Sequence, residues 1–228
     1  MSTQNNILPS VSPFFLEKNG STLAKQVFEI IQKHIVTGEL RPNQRLVDSE
    51  IAKELGISRT PVREALKRLE VVGYVSTLPS GGIIVTEHST REIQYLYEIR
   101  EALETMAVKL ACHRATEEQL NKVEEFYNRG VEVVSNGDIG RYIELHRSFE
   151  EELYAACGNE GLVSLIKMFR NQYYNQRLHR VLTSKDWRTQ LKHHGRILKA
   201  LRKRSADRAA KALERHLRTS LKVALQRL

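Results

Sequence analysis

The chain of 228 residues is poor in the features that mark several protein classes. It has no run of eighteen apolar residues, so nothing in it reads as a membrane span. Its two cysteines, Cys112 and Cys157, lie far apart without a C-x-x-C pair, which excludes a disulfide framework. A reduced, cytoplasmic setting follows, with both thiols expected to be buried as small hydrophobes. The first twenty residues have neither a basic start nor a long apolar stretch, so they read as a mobile arm and not as a signal peptide. No H-E-x-x-H, no G-x-S-x-G and no phosphate loop occurs, and neither cysteine has an evident base partner. Repeats and low-complexity tracts are absent. Only five prolines occur, and none follows Pro79.

What is present is positive charge, unevenly spread. The net charge is +9, but residues 21–88 carry nine Lys/Arg against eight Asp/Glu, while residues 160–228 carry eighteen against four. Residues 89–159 are acidic. The excess charge therefore lies away from the segment that reads as DNA-binding, and a nucleic-acid assignment has to rest on individual arginines. The basic C-terminal stretch reads as a solvated helix surface partly offset by the acidic middle.

Apolar spacing divides the chain at about residue 88. Leu23, Val27, Ile31 and Ile35 recur at helical intervals in 21–37, with Ser21 as a candidate cap and Gly38 as the stop. A turn at Leu40-Arg41-Pro42-Asn43 precedes a short helix from about Ser49 to Leu55, which Gly56 ends. Ser58 then caps a third helix over RTPVREALKRLEVV, with Pro61 in its first turn, where no intrahelical donor is lost. Tyr74–Leu78 and Ile83–Thr86, joined by Pro-Ser-Gly-Gly, read as a β-hairpin. Three helices and a hairpin within about 65 residues have the layout of a winged helix-turn-helix. Beyond His88 the spacing is helical throughout, over about 90–114, 117–136, 139–156, 160–181, 185–203 and 207–227. Candidate caps are Ser89 or Thr90, Thr116, Asp138, Asn159, Ser184 and Ser205. The expected architecture is mainly α. A flexible N-terminal arm (1–20) leads to a winged helix-turn-helix (21–88), followed by an all-α bundle of six to seven helices (89–228).

The helix-turn-helix carries its own chemistry. Such a motif lays the N-terminal part of its second helix into the major groove. Arg59 and Arg63 stand four apart on one face there, and a bidentate arginine–guanine contact contributes about 1–3 kcal/mol of discrimination. Ser58 and Thr60 add hydroxyls for phosphates or bases, Lys67 reaches phosphate or solvent, and Val62, Leu66 and Leu69 turn to the core. At these residues a resemblance becomes specific. GELRPNQRLVDSEIAKELGISRTPVREALKRLEVVGYV resembles the DNA-binding domain of the GntR superfamily over residues 22–86. The resemblance implies that Arg59 and Arg63 read bases, that Arg45 and Thr60 help position phosphates, and that Gly82 tips a wing into the minor groove.

The helical part is similar to the FCD ligand-binding domain of the FadR subfamily, through YEIREALETMAVKLA, AACGN, HGRILKAL and RHL. Many such domains hold a divalent metal with an Asp, a His one turn later and two further His. Counted back from Asn159, the first two positions fall on His146 and Glu150, and the later two on His194 and His216. Histidine thus replaces the usual Asp, and Glu the usual His. The spacing agrees, because His146 and Glu150 share a helix face. His194 and His216 are each eleven residues from Ser205, the expected joint of a helical hairpin. Three imidazoles and a carboxylate suit zinc, nickel or another borderline divalent ion. A surface role for the adjoining His193 and His194, and a solvated acidic run at Glu150-Glu151-Glu152, are the competing readings. Arg100 matches an Arg-Glu step of the same family; it either pairs with a carboxylate effector or forms an ion pair with Glu104, four residues on. Tyr97, Tyr173 and Tyr174 are candidates for a cavity wall or for core.

These readings converge on a DNA-binding regulator and not an enzyme. The resemblance implies a homodimer on a pseudo-palindromic DNA operator, a repressor of a catabolic operon that responds to a small carboxylate. A metal-dependent hydrolase is one alternative, which would leave the helix-turn-helix unexplained. The other is a non-specific nucleic-acid-binding protein, which would lack a specific-over-nonspecific ratio.

Overall fold

The computed structural model describes residues 21–36, 38–173 and 182–227. The arm expected at 1–20, Tyr174 and the end of the helix expected over 160–181 lie outside the described residues. Among the described residues the chain divides into two compact units between His88 and Ser89. The protein is mainly α, with nine helices among the described residues.

The first unit runs α1 (Leu23–Val36), β1 (Arg45–Leu46), α2 (Asp48–Leu55), α3 (Arg59–Val71), β2 (Val75–Thr77) and β3 (Ile83–Val85). The helical stripe of α1 puts Val27, Ile31 and Ile35 into one core with Leu40, Ile51, Leu55, Val62, Leu66 and Leu69. The sheet is antiparallel in the order β1-β3-β2, with Arg45 opposite Ile84 and Ser76 opposite the same residue from the other side. The sequence reading had only the hairpin. A two-residue strand such as β1 is too short to show alternation, and it exists because β3 offers it a free edge. The cap of α1 is also shifted: the Lys25 N–H donates to Thr22 Oγ1 at 3.3 Å, so Thr22 takes the role read for Ser21.

The second unit holds α4 (Thr90–Arg114), α5 (Glu117–Ser135), α6 (Ile139–Ala155), α7 (Glu160–Tyr173), α8 (Ser184–Arg202) and α9 (Ala206–Arg227). Capping boxes at Ser89 with Glu92 and at Thr116 with Gln119 fix the starts of α4 and α5. Asp138 accepts from the Arg141 N–H, and Asn159 Oδ1 from the Leu162 N–H at 3.0 Å. At α8 the cap is Thr183, boxed with Asp186, and not Ser184; only Thr183 has an acidic residue three positions on. A main core of Val108, Ala111, Leu120, Phe149, Leu153, Ile197, Leu201 and Leu213 joins all six helices through their neighbours. A smaller cluster gathers Val133, Tyr142, Leu145 and Trp187. Cys112 and Cys157 are free and buried. The basic C-terminal helices meet the acidic middle directly. Arg202 bonds Glu117 and Glu124, Arg204 bonds Glu117, and Arg218 bonds Glu101.

One close approach sets the distance between α5 and α8. A Cβ on Gly195 would lie 2.5 Å from Tyr127 Oη and 3.0 Å from its Cζ. Gly195→Ala is therefore expected to destabilise the protein by about 1–3 kcal/mol through overpacking. That outweighs the roughly 1 kcal/mol that alanine gains in helix propensity. Urea denaturation measures it; an unchanged or higher midpoint would show that Tyr127 moves aside freely.

Candidate DNA-reading helix and buried histidine cluster

The joint between α2 and α3 is built by Gly56, whose φ of 66° lets the chain reverse while the Ile57 N–H returns to the Ala52 carbonyl at 3.0 Å. This sends α3 off with Val62, Ala65, Leu66 and Leu69 buried. Ser58, Arg59, Thr60 and Arg63 are left exposed. Ser58 occupies the N-cap position, but its hydroxyl makes no capping hydrogen bond. Asp48, at the start of α2, organises the arginines. Arg59 Nη2 donates to both of its carboxylate oxygens, at 3.0 and 3.1 Å, and Arg63 Nε lies 3.9 Å from Oδ2. Both arginine side chains are more than 60% exposed, at 62% and 67%, so these pairs orient far more than they stabilise.

The wing turns on Gly81 and Gly82, with φ of 83° and 100°. A Cβ on Gly82 would meet Arg45 Nη2 at 3.1 Å. Strand β1 thus lays the Arg45 guanidinium along the wing tip, and two residues far apart in sequence become neighbours.

In the second unit, α6 presents His146, Glu150 and Tyr154 as an i, i+4, i+8 stripe, and all three are buried. His194 on α8 and His216 on α9 close over it. Their ring centroids are 4.7 Å apart, level with each other across the hairpin as the count from Ser205 predicts, and His194 is 4.9 Å from His146. Donor atoms of His146, Glu150 and His194 all lie within 4.8 Å of one another. Donors about 2 Å from a shared tetrahedral ion lie about 3.3 Å apart, so these side chains would draw in by up to about 1.5 Å to share one. His216 borders this triplet through His194. The adjacent His193 is buried as well, with its ring 6.1 Å from His216, so it is not the surface residue one reading supposed.

Burial pushes the His194 and His216 rings well below the usual histidine range; next comes the adverse charge of His146 on His194 and of His194 on His216. Both rings are therefore neutral at pH 7, the form that ligates metal. His194 Nε2 and His216 Nδ1 are buried without a hydrogen-bond partner among the described residues. Orphaned buried nitrogens of this kind are rare unless something binds them. The residues fit a divalent ion.

A chain of buried charge runs beside the histidines. Arg100 Nε donates to Glu104 Oε1 at 2.8 Å, and Tyr154 Oη donates to Glu104 Oε2 at 2.5 Å. The ion pair with Glu104 left open in the sequence is thus formed, and the Tyr97 ring supports Arg100 from 4.7 Å. Arg170, on α7, pairs with Glu150, which His146 Nδ1 approaches at 3.1 Å. Burial opposes the charge on Arg100 and Arg170, yet the facing carboxylates, Glu104 and Glu150, hold both above the ordinary arginine range. Burial, reinforced by Glu104, raises the Tyr154 hydroxyl far up and keeps it a donor. Sequence reasoning missed Glu104's second partner and Arg170 altogether. The α6 stripe could have flagged Tyr154. Arg170 meets Glu150 only through tertiary packing, and no local spacing announces it.

A winged helix-turn-helix with exposed arginines on its second helix, followed by a helical domain with a buried histidine cluster, defines a DNA-binding transcriptional regulator. Known families agree. Residues 23–85 match the bacterial regulatory proteins of the gntR family, and residues 95–219 match the FCD domain. The chain belongs to the GntR family and carries an FCD domain. It is 30% identical over 184 residues to the Nta operon transcriptional regulator of Aminobacter aminovorans, covering 80% of this chain and 85% of that protein. It is 27% identical over 192 residues to the HTH-type transcriptional regulator YdhC of Bacillus subtilis strain 168, covering 84% and 86%. The structure of E. coli McbR/YncC is similar with a TM-score of 0.77 at 26% identity, covering 90% of this chain and 98% of that one. These relatives and domains are those of transcription factors and not of enzymes. No helix among the described residues is long and apolar enough to cross a membrane.

Proposed function

We propose that the protein is a cytoplasmic, homodimeric repressor of a catabolic operon whose FCD domain binds a small organic acid with a divalent metal. The N-terminal unit reads a pseudo-palindromic operator: Arg59 and Arg63 contact bases, Ser58, Thr60 and Arg45 contact phosphates or bases, and Gly82 lets the wing approach the minor groove. A single helix-turn-helix covers few base pairs, and a twofold dimer doubles both affinity and site length. The relative from Aminobacter aminovorans is named for an operon, which supports an operon as the target here.

The observation that carries the sensing half is the pair of orphaned ring nitrogens, His194 Nε2 and His216 Nδ1, buried beside Glu150 and His146. These four residues would hold zinc or nickel, and the ion would supply an open coordination position for an effector oxygen. Arg100 is the other anchor for the effector carboxylate. Regulation requires that the effector bind the DNA-competent and incompetent geometries unequally, with a coupling of about 1–3 kcal/mol.

Metal analysis and melting with and without a chelator test this reading. Purified protein is expected to carry about one ion per chain and to lose several degrees of Tm on chelation, since an ion at about 100 times its Kd stabilises by about 2.7 kcal/mol. His194→Ala with His216→Ala removes both the ion and the response to chelator. Wild-type protein without metal, indifferent to added Zn²⁺ or Ni²⁺, would overturn the metal reading.

A further inference from the structure

The two units share the positive charge unequally. Residues 21–88, which carry the helix-turn-helix, hold nine Lys/Arg against eight Asp/Glu, whereas residues 184–227 hold fourteen against three. A near-neutral reading unit brings little of the phosphate attraction that supplies non-specific DNA affinity. The surplus on α8 and α9 is ordered. Arg188, Lys192, Arg196, Lys199 and Lys203 recur every three or four residues along α8 and its end, so they share one side, and all five are exposed. Arg208, Lys211, Arg215, Arg218 and Lys222 do the same along α9. The two rows are level. Arg188 and Lys222 are each seventeen residues from Ser205, and Lys199 and Lys211 each six, by the same count that brings His194 level with His216. They are also adjacent. The buried His193 ring is pushed below the usual histidine range by burial and then by the charges of Arg196 and Arg215, one from each row. Of these ten cations, only Arg218 has an ion pair among the described residues, with Glu101.

What such a face can take is narrowed by what it lacks. The exposed large apolar residues, Tyr95, Ile99 and Met106 among them, all lie outside α8 and α9, so a protein partner would find no apolar centre there. Nor would anything on it enter the acyl boundary of a membrane. The tryptophan of α8, Trp187, is buried, and no Phe or Tyr occurs on either helix, so unpaired bases have no exposed ring to stack on. A second copy of the face would repel it. From Arg188 to Lys203 the helix rises about 22 Å, a length over which duplex DNA carries about 13 phosphates.

We propose that the α8–α9 hairpin is a second DNA surface, which grips the phosphate backbone of duplex DNA without reading its sequence. It supplies the electrostatic affinity that the near-neutral first unit lacks, while sequence preference stays with the recognition helix.

Fluorescence anisotropy of a labelled duplex of arbitrary sequence, about 30 base pairs long, titrated with the full chain at several KCl concentrations, tests it. The hairpin variant combines Lys192→Gln, Arg196→Gln, Lys199→Gln, Lys211→Gln and Arg215→Gln. The control makes the same charge change on α4, α5 and α6 with Lys109→Gln, Lys122→Gln, Arg129→Gln, Arg141→Gln and Arg147→Gln, all at exposed positions. Circular dichroism checks that both fold. Each neutralised phosphate contributes about 0.9 to the slope of log affinity against log salt. The hairpin variant is therefore expected to lose about 2–4 from that slope, and at least about tenfold in affinity at fixed salt. The control loses less than about threefold, because charges away from the contact are screened. Lys192→Gln with Lys211→Gln, a gentler change, loses about 1–2 from the slope. Arg59→Ala keeps the slope to within about 1, so failure of this surface and failure of the base-reading assignment are told apart. A hairpin variant with wild-type slope and affinity, or equal losses in the hairpin and control variants, would overturn the proposal. So would wild-type binding to phosphatidylglycerol vesicles tighter than to the duplex, which would make the face a membrane contact.

Discussion

Arg59→Ala and Arg63→Ala are each expected to abolish specific operator protection while leaving the protein folded. Both side chains project from the start of α3 and are mostly exposed, and neither belongs to the core that Val62, Leu66 and Leu69 enter. Each bidentate arginine–guanine contact contributes about 1–3 kcal/mol. On a twofold dimer each substitution removes two such contacts, so the loss is about 2–6 kcal/mol, or roughly 30-fold to more than 10⁴-fold in affinity. Footprinting on the native operator should show two protected half-sites about one helical turn apart for the wild type, and none for either variant. Residual non-specific binding should persist, because phosphate contacts from other basic residues remain. Wild-type protection and sequence preference in either variant would show that the residue does not read bases. Asp48 makes a finer point: its carboxylate holds Arg59 in a two-point grip before DNA arrives.

Glu104→Ala should be the most damaging single change in the helical unit. Glu104 is 0% exposed and serves both the Arg100 guanidinium and the Tyr154 hydroxyl. Its removal leaves a buried cation without its carboxylate, a loss of about 3–5 kcal/mol. Arg100→Met combined with Glu104→Leu removes both charges and should recover most of that stability, since paired buried charges are often replaceable by apolar groups of similar volume. Urea denaturation of the single and double variants decides the matter. A loss below about 1 kcal/mol in Glu104→Ala would mean that water or another anion reaches Arg100.

The sequence made the repeated elements legible and left the solitary ones hidden. Helical spacing runs for several turns in every helix of the second unit, so each was readable, and caps at Ser89, Thr116, Asp138 and Asn159 fall where local side-chain chemistry places them. Thr22 and Thr183 were each missed by one residue, because adjacent hydroxyl-bearing residues compete for the same role and the first turn of packing decides between them. Strand β1 exists only through its pairing with β3. The nearness of His194 to His216 could be anticipated by counting outward from a hairpin joint, whereas the meeting of Arg170 with Glu150 depends on how α7 lies over α6.

That buried string of charges and one neutral hydroxyl also governs sliding. Apolar contacts are not directional, so a slip of one turn, about 5.4 Å, is opposed by their shapes alone. The string from Arg100 through Glu104, Tyr154 and Arg170 to Glu150 has no such freedom, since one turn of slip would misplace each donor from its acceptor. It acts as a registry key for α4, α6 and α7. A movement within the domain that kept these bonds would have to carry the three helices together.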